Sequence, residues 1–301
     1  MRVEPHLELP RHRPHRGGPI ANTLGAQVIR TLVGHSLSGD GRAEPASRHQ
    51  SSLRELGYAI LPNVLSESAS DRIQQYIRRI ERTLDSPRRT SVRIDTTKLP
   101  FSPDHTPLGE LLESEQIEDL TRWFFGRHVG QPPNCALWIQ RHEADPESEL
   151  PDSVRVLGDS GQELDSWFTR DRQDQWHADL SRPILKFFYY PFGSTESNMS
   201  LQYLARSHKL SAIKLREEYQ SSIRSSKRRK AAKSDRTVRV CANPSLLEAA
   251  FDVVTFNELD PGTVVALNTA GYHRRHAIQG AQRTMMILSH KYSVGPLLWK
   301  R

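Results

Sequence analysis

Short apolar runs separated by polar turns dominate the chain after residue 126. Pro, Gly, Asn, Asp and Ser bound these runs, which is typical of β-strands joined by turns. Most gaps between the runs lack the helix that a βαβ unit requires, so the pattern favours a mainly β fold, a sandwich or jelly roll. The seven strands predicted after residue 126 are Cys135–Ile139, Ile184–Tyr190, Met199–Leu204, Val238–Cys241, Val253–Phe256, Thr263–Leu267 and Thr284–Leu288.

A helical period replaces this pattern in the first half of the chain. The run Tyr58–Leu61 predicts a short strand, which Pro62 ends. Ser66 is a suitable N-cap for a helix that continues to about Leu84, and a second helical region is predicted over 108–125. The apolar side chains of the first helix recur at helical spacing and form one stripe, which predicts docking on a core: Ile73, Tyr76, Ile77, Ile80 and Leu84.

Polar segments suggest how the chain is divided. Residues 1–48 combine Arg, Pro, Gly and His and predict a flexible basic arm, so that one domain occupies residues 49–301. Within that domain, residues 143–172 predict an acidic loop inserted between strands. Residues 209–236 predict a helix followed by a basic loop over residues 224–236.

The net charge of +7 is carried by two segments rather than by the whole domain. Residues 221–236 hold seven Lys and Arg against one Asp, and residues 1–48 hold seven Arg against four acidic residues. The remainder is slightly acidic, so a nucleic-acid partner is not expected from the composition. The sequence shows no run of about 18 apolar residues and no secretory signal, and its two cysteines cannot form a disulfide framework. These features favour a cytoplasmic protein without a membrane association.

The residues best suited to chemistry stand at the edges of predicted strands. His177 and Asp179 follow Trp176, and side chains two residues apart in an extended segment lie on the same side. His273 lies far along the chain, ten residues before Arg283 at the start of a strand. A His-x-Asp pair with one distant histidine makes the facial triad of non-haem Fe(II) oxygenases, which leaves open positions on the metal.

Each of these residues also has a purely structural interpretation. His177 and Asp179 alone would suit a hydrogen-bonded pair at a strand end. His276 is a rival to His273 as the distal ligand. Gln140 is predicted either to face the pocket or to be a satisfied core amide. The Lys186 ammonium would reach either the pocket or solvent.

The order of these motifs resembles the phytanoyl-CoA dioxygenase family. The shared residues are Trp176-His177-Ala178-Asp179, then Lys186 in an apolar strand, then Ser207-His208-Lys209, then His273 with Arg283 ten residues later. The resemblance covers roughly residues 52–292. It implies a double-stranded β-helix (jelly-roll, cupin-like) core with flanking α-helices, and dependence on Fe(II) and 2-oxoglutarate.

The resemblance also implies roles for individual residues. His177, Asp179 and His273 are expected to bind iron and to be the catalytic centre. Arg283 is expected to bind the C5 carboxylate of 2-oxoglutarate, with Gln140 and Lys186 as further candidates for contact with this co-substrate. Related halogenases have a small residue in place of Asp179, so its presence favours oxygen insertion.

We therefore expect a dioxygenase that hydroxylates a small molecule with O2, and the basic loop would attract an anionic substrate. One alternative is an oxygenase directed at nucleic acid or protein, which would dock through the loop 224–236. Another is a catalytically silent β-helix protein that only binds a ligand.

Overall fold

Two antiparallel β-sheets and six helices make up the part of the chain that the computed structural model describes. That part consists of residues 45–83, 91–95, 107–125, 134–141, 156–157, 163–164, 166–168, 174–179, 184–197, 200–228, 239–276 and 281–291. The helices are α1 (Arg48–Leu56), α2 (Glu67–Thr83), α3 (Pro107–Leu112), α4 (Glu115–Phe125), α5 (Ala212–Arg228) and α6 (Pro244–Ala250). None of these helices is both long enough and apolar enough to cross a membrane.

Fourteen strands are found in the described ranges. They are β1 (Tyr58–Leu61), β2 (Ser91–Asp95), β3 (Asn134–Arg141), β4 (Val156–Leu157), β5 (Glu163–Leu164), β6 (Ser166–Phe168), β7 (His177–Ala178), β8 (Ile184–Tyr190), β9 (Ser200–Leu204), β10 (Arg239–Val240), β11 (Val253–Phe256), β12 (Thr263–Asn268), β13 (His273–His276) and β14 (Gln282–Lys291). The larger sheet has the order β1-β12-β8-β14-β3-β2-β6, and the smaller has the order β10-β7-β13-β9-β11. Strands β4 and β5 form a separate pair.

The central strand β8 shows how the layers are arranged. Phe188 and Tyr190 pack in the core between the two sheets, whereas Leu185, Phe187 and Tyr189 pack in the core that includes the helices. Successive side chains of a strand point to opposite faces, so a strand covered on both faces is apolar throughout. This double burial explains why β8, apart from Lys186, is the apolar run from which it was predicted.

Helix α2 confirms the predicted amphipathic stripe. The backbone N–H of Ala69 donates to Ser66 Oγ at 3.3 Å, as expected of an N-cap. Ile73, Ile77 and Ile80 are buried in the core against the larger sheet. Docking of this face on the sheet, rather than helix propensity alone, is the main source of stability for such a helix.

The single helical region predicted over residues 108–125 is instead two helices, α3 and α4. Ser114 lies between them, and its hydroxyl donates to the backbone oxygen of Val64 at 3.4 Å. Its own carbonyl accepts from the N–H of Glu118 at 2.9 Å, in the first turn of α4. Serine favours such junctions because its hydroxyl bonds to nearby backbone groups.

The strand prediction was right in position but incomplete. Strands β1, β8 and β11 have the predicted bounds, and the other five differ by one to three residues at one or both ends. The prediction missed β2, β7 and β13. Strands β7 and β13 consist largely of histidine and arginine and therefore show no apolar run. The predicted loop 143–172 is wrong in part, because β4, β5 and β6 lie within it. Strand β6 extends the larger sheet beside β2.

The predicted start of the basic loop is also wrong. Helix α5 continues to Arg228, so residues 224–228 are helical rather than part of a loop over 224–236. Lysine and arginine are good helix formers, which a prediction based on charge alone overlooked. Residues 229–238 lie outside the described residues.

The end of the predicted N-terminal arm needs a small correction. Helix α1 begins at Arg48, and Ser47 Oγ caps it by accepting from the N–H of Gln50 at 3.2 Å. Ordered helical structure therefore begins inside the segment 1–48 that was predicted as an arm. Residues 1–44 lie outside the described residues.

Burial of His290 on β14 predicts a specific loss of stability in acid. Its ring lies edge-on to Phe187, with the ring centroids 5.5 Å apart. Burial lowers the pKa of His290 from 6.5 to about 4. The unfolded chain therefore binds a proton below pH 6.5 that the folded protein takes up only near pH 4.

Between pH 7 and pH 4, His290 should reduce the free energy of unfolding by about 3 kcal/mol. His290→Gln should abolish this part of the pH dependence, although the substitution also lowers stability at pH 7. Urea unfolding of both proteins at pH 7, 5.5 and 4 measures the difference. If the difference in free energy of unfolding between His290→Gln and wild type stays constant with pH, His290 is not the source of the acid destabilisation.

Candidate metal centre

The backbone of the smaller sheet brings two distant histidines together. Strand β7 pairs antiparallel with β13, and His177 lies directly opposite His273 in the register. Residues opposite each other in an antiparallel pair project from the same face, so the two imidazoles converge. Their ring centroids are 4.3 Å apart, and the ring planes make an angle of 55°.

Asp179 completes the group from the end of β7. Its backbone N–H donates to the oxygen of Thr269 at 2.9 Å, which ties this end of β7 to the segment preceding β13. One ligand atom from each of His177, Asp179 and His273 lies within 4.8 Å of the others, and all three residues are buried. Among the described residues, no other group of three His, Cys, Asp or Glu side chains meets this geometry.

Backbone carbonyls determine which imidazole nitrogen faces the site. His177 Nδ1 lies 2.8 Å from the oxygen of Gln175, and His273 Nδ1 lies 3.1 Å from the oxygen of Gly271. A carbonyl oxygen can only accept, so Nδ1 carries the proton in both rings. The lone pair of each Nε2 is then available to a metal, which is the usual arrangement of metal-binding histidines.

Burial also sets the charge of both imidazoles. It is the largest influence on both rings, lowering the pKa of His177 below its ordinary value and that of His273 to about 3. The neighbouring His177 further lowers the pKa of His273. Both rings are therefore neutral at physiological pH, the state in which an imidazole binds a metal.

Lys186 on β8 keeps Asp179 anionic. Burial alone would raise the pKa of Asp179, but the Lys186 ammonium and the two imidazoles lower it well below its usual range. The Lys186 Nζ lies 2.7 Å from Asp179 Oδ2. This side chain was predicted to contact a co-substrate or to reach solvent, and the structure places it on the candidate ligand carboxylate instead.

Arg283 lies on the face of β14 that points between the sheets. Its side chain is buried, as is that of Met285 two residues later in the intersheet core. The guanidinium approaches the Tyr190 hydroxyl and partly offsets the rise in the pKa of Tyr190 that burial causes. Arg283 also lines a cavity of about 230 Å³, which is bounded by Arg78, Glu81, Phe192, Gly193, Ser194, Gln282 and Thr284.

Gln140 lies directly opposite Arg283 in the pairing of β3 with β14. Its backbone is therefore beside Arg283, as the prediction of a shared pocket requires. Its side chain lies outside the described part of the structure.

The rival ligand His276 lies on the other face of β13. It is exposed, whereas His273 and Arg275 are buried on the intersheet face. The alternation of a β-strand places residues three apart on opposite faces. The structure thus brings His273, and not His276, to His177 and Asp179.

Arg275 is a neighbour of the centre that the sequence analysis missed. It follows His273 on the same face of β13, and its guanidinium forms a two-point ion pair with Asp174. The Nε–Oδ1 distance is 2.6 Å and the Nη2–Oδ2 distance is 3.0 Å. This pair ties β13 to the segment before β7. The two-residue period starting at His273 would have identified Arg275 once that segment was recognised as a strand.

Side chains on the outer face of the smaller sheet stabilise β7 and β13. Trp176 Nε1 donates to Glu248 Oε1 at 2.7 Å, and the Arg274 guanidinium lies 4.2 Å from the centroid of the Trp176 ring. Arg274 also forms an ion pair with Glu248 at 3.2 Å. Trp176 therefore packs against these side chains and supports β7.

The donor set fits a first-row divalent metal. Two neutral imidazoles and one carboxylate match the facial triad of non-haem Fe(II) enzymes, which leaves positions open for other ligands. The protein carries these groups in the protonation states that metal binding requires, so little proton release should accompany binding.

Comparisons with known proteins identify similar folds. The sequence matches no established family profile and no curated protein. The epimerase SnoN, solved with Fe3+, alpha ketoglutarate and nogalamycin RO, is 12% identical at a TM-score of 0.50; the match covers 81% of this chain and 82% of SnoN. EctD from S. alaskensis, solved with 2-oxoglutarate and 5-hydroxyectoine, is 15% identical at 0.50, covering 84% of this chain and 78% of EctD. At these identities the similarity is one of fold.

The opposite faces of β13 provide a matched pair of variants. His273→Ala should weaken Co(II) binding at least tenfold, because it removes one of three protein ligands. His276→Ala removes an exposed imidazole from the same strand and should leave the affinity unchanged. Titration of each apo-protein with Co(II), followed by visible absorption, measures both. Equal losses in the two variants would contradict the assignment of His273.

Proposed function

We propose that this chain is an Fe(II)- and 2-oxoglutarate-dependent oxygenase of a small molecule. In this proposal the two sheets are the halves of a double-stranded β-helix, and the chain is a member of the phytanoyl-CoA dioxygenase family. The observation that carries the proposal is the converged triad of His177, Asp179 and His273. Its protonation states and tautomers suit a divalent metal before any metal binds. The fold that the chain shares with SnoN and EctD, whose structures contain alpha ketoglutarate or 2-oxoglutarate, supports it.

The triad would hold iron through two nitrogens and one oxygen. When bound, iron with 2-oxoglutarate supplies oxidation of a substrate C–H bond by O2, yielding hydroxylated product, succinate and CO2. The chain's own contribution is to present the ligands without rearrangement and to exclude bulk water from them. Burial of all three ligand side chains meets the second requirement.

Arg283 is the residue proposed to bind 2-oxoglutarate at its distal carboxylate. A guanidinium offers two parallel N–H donors that match a carboxylate, and burial strengthens such a contact. Arg283 is buried and faces the intersheet space, on the same side of β14 as Met285. The Tyr190 hydroxyl lies beside it as a second polar group. Gln140 is retained as a candidate contact because its backbone pairs with that of Arg283.

Lys186 is assigned to the metal ligand rather than to the co-substrate. Its ammonium binds Oδ2 of Asp179, so the metal is expected at the other carboxylate oxygen. Partners of this kind orient ligating carboxylates and tune their basicity. The positive charge also compensates Asp179 in the protein without metal, where an unpaired buried carboxylate would be costly.

The reaction at the substrate carbon is proposed to be hydroxylation. SnoN, which shares the fold, is described as an epimerase, so the fold supports more than one outcome. Mass spectrometry of the product separates the two, because hydroxylation adds one oxygen atom and epimerisation leaves the mass unchanged.

The direct test is an anaerobic titration of the apo-protein with Fe(II) and then 2-oxoglutarate. Chelation of 2-oxoglutarate by iron at the triad should produce a weak visible charge-transfer band. His177→Ala should not produce this band. A wild-type protein that binds no Fe(II), or binds it with no band on addition of 2-oxoglutarate, would refute the proposed function.

Arg283→Gln should weaken 2-oxoglutarate binding without affecting the metal. Loss of a charge-assisted contact costs about 1.5–3 kcal/mol, which corresponds to an increase of roughly 10- to 150-fold in the dissociation constant. The same band, recorded against 2-oxoglutarate concentration, measures this change. Arg72→Gln is the control, because Arg72 is exposed and pairs with Glu110 on the surface. Equal affinities in Arg283→Gln and wild type would exclude Arg283 as the binding residue.

A further inference from the structure

We infer that Lys214 is a positioning residue for the distal ligand His273. The inference rests on the proposed function, since it concerns the metal centre described above. Lys214 lies on helix α5, and the sequence analysis assigned this residue no role in the site. Its side chain is buried, although lysine is rarely buried without a partner.

The Lys214 ammonium joins two segments that precede and support the metal-binding strand. Its Nζ donates to the oxygens of Ser207 and Ala270, each at 2.6 Å, and to the oxygen of His208 at 3.3 Å. An ammonium has three N–H donors, so these carbonyls match its full donor capacity. The Tyr272 ring centroid lies 5.8 Å from Nζ, a distance at which a cation is attracted to the ring.

Short backbone contacts connect Ala270 to the ligand imidazole. Gly271 follows Ala270, and its carbonyl accepts from His273 Nδ1. The next residue, Tyr272, donates its N–H to Ser207 Oγ at 2.8 Å and accepts at its carbonyl from the N–H of Leu204 at 2.9 Å. Lys214 therefore holds the Ala270 carbonyl, which lies two residues before Tyr272. It also holds the backbone of Ser207, whose hydroxyl accepts from the Tyr272 N–H.

Tyr203 packs closely against the same segment. A Cβ added to Gly271 would lie 2.0 Å from Tyr203 Oη, so only glycine fits there. The Tyr203 hydroxyl in turn donates to the oxygen of Asn268 at 3.1 Å. Tyr203 and Lys214 thus both hold this segment, and the carbonyl that orients His273 has little freedom.

Helix α5 is itself anchored where it carries Lys214. Glu217, one turn later, is fully buried, and its Oε2 accepts from the backbone N–H groups of Ala242 and Asn243, each at 3.0 Å. The Cys241 thiol donates to the same oxygen at 3.2 Å. Because Glu217 fixes helix α5 at this point, the Lys214 ammonium is held in a defined position. These contacts also give the Ser207-His208 motif a structural role in the centre.

The test compares metal affinity with global stability in three variants. Lys214→Met keeps the length and apolar character of the side chain but removes the ammonium. Ser207→Ala removes only the hydroxyl that accepts from Tyr272 and serves if Lys214→Met does not fold. Lys209→Met is the control, because the Lys209 ammonium forms an exposed ion pair with Glu55. Each apo-protein is titrated with Co(II), and thermal unfolding is recorded in parallel.

We expect Lys214→Met and Ser207→Ala to raise the Co(II) dissociation constant about tenfold or more at a temperature where both are folded. They should also shift the visible spectrum of bound Co(II), because the geometry of its ligands changes. Lys209→Met should match wild type in both measurements. Unchanged affinity and spectrum in the folded variants, with only the unfolding temperature lowered, would overturn the inference. Failure of wild type itself to bind Co(II) at His177 would instead refute the proposed metal centre.

Discussion

The centre depends on one backbone register, the pairing of β7 with β13 that sets His177 opposite His273. Side chains alternate along a strand, so a slip of one residue would turn one imidazole to the outer face of the smaller sheet. Both strands are short and polar, so the pairing between them stabilises this register only weakly. The surrounding contacts supply the rest: Arg275 bonds to Asp174 on one face, and Arg274 stacks on Trp176 on the other.

Burial of the ligands would be unfavourable without compensation. The two imidazoles avoid the cost by remaining neutral, and Asp179 avoids it by pairing with Lys186. In the protein without metal, the Asp179 carboxylate is therefore balanced by the Lys186 ammonium. The three candidate ligands already lie close together, so metal binding does not have to bring them together. Such preorganisation favours tight metal binding, because little conformational entropy is lost when the metal arrives.

Much of this arrangement was predictable from the sequence, for identifiable reasons. The His177-x-Asp179 spacing and the apolar runs of β8 and β11 report local geometry directly. The partner of Lys186 was not predictable, since it depends on which residue lies across the two sheets. Strand β13 was missed because its residues serve the site and its supports rather than the apolar core, and Arg275 was missed with it. The role of Lys214 arises from three segments that meet only in the folded chain.

The position of the metal itself tests the assignment of His177, Asp179 and His273. Crystals of the protein grown anaerobically with Fe(II) would be measured at the iron absorption edge. We expect one strong anomalous peak enclosed by the Nε2 atoms of His177 and His273 and a carboxylate oxygen of Asp179. A peak at another group of side chains, or its absence from the triad at full iron loading in solution, would contradict this assignment.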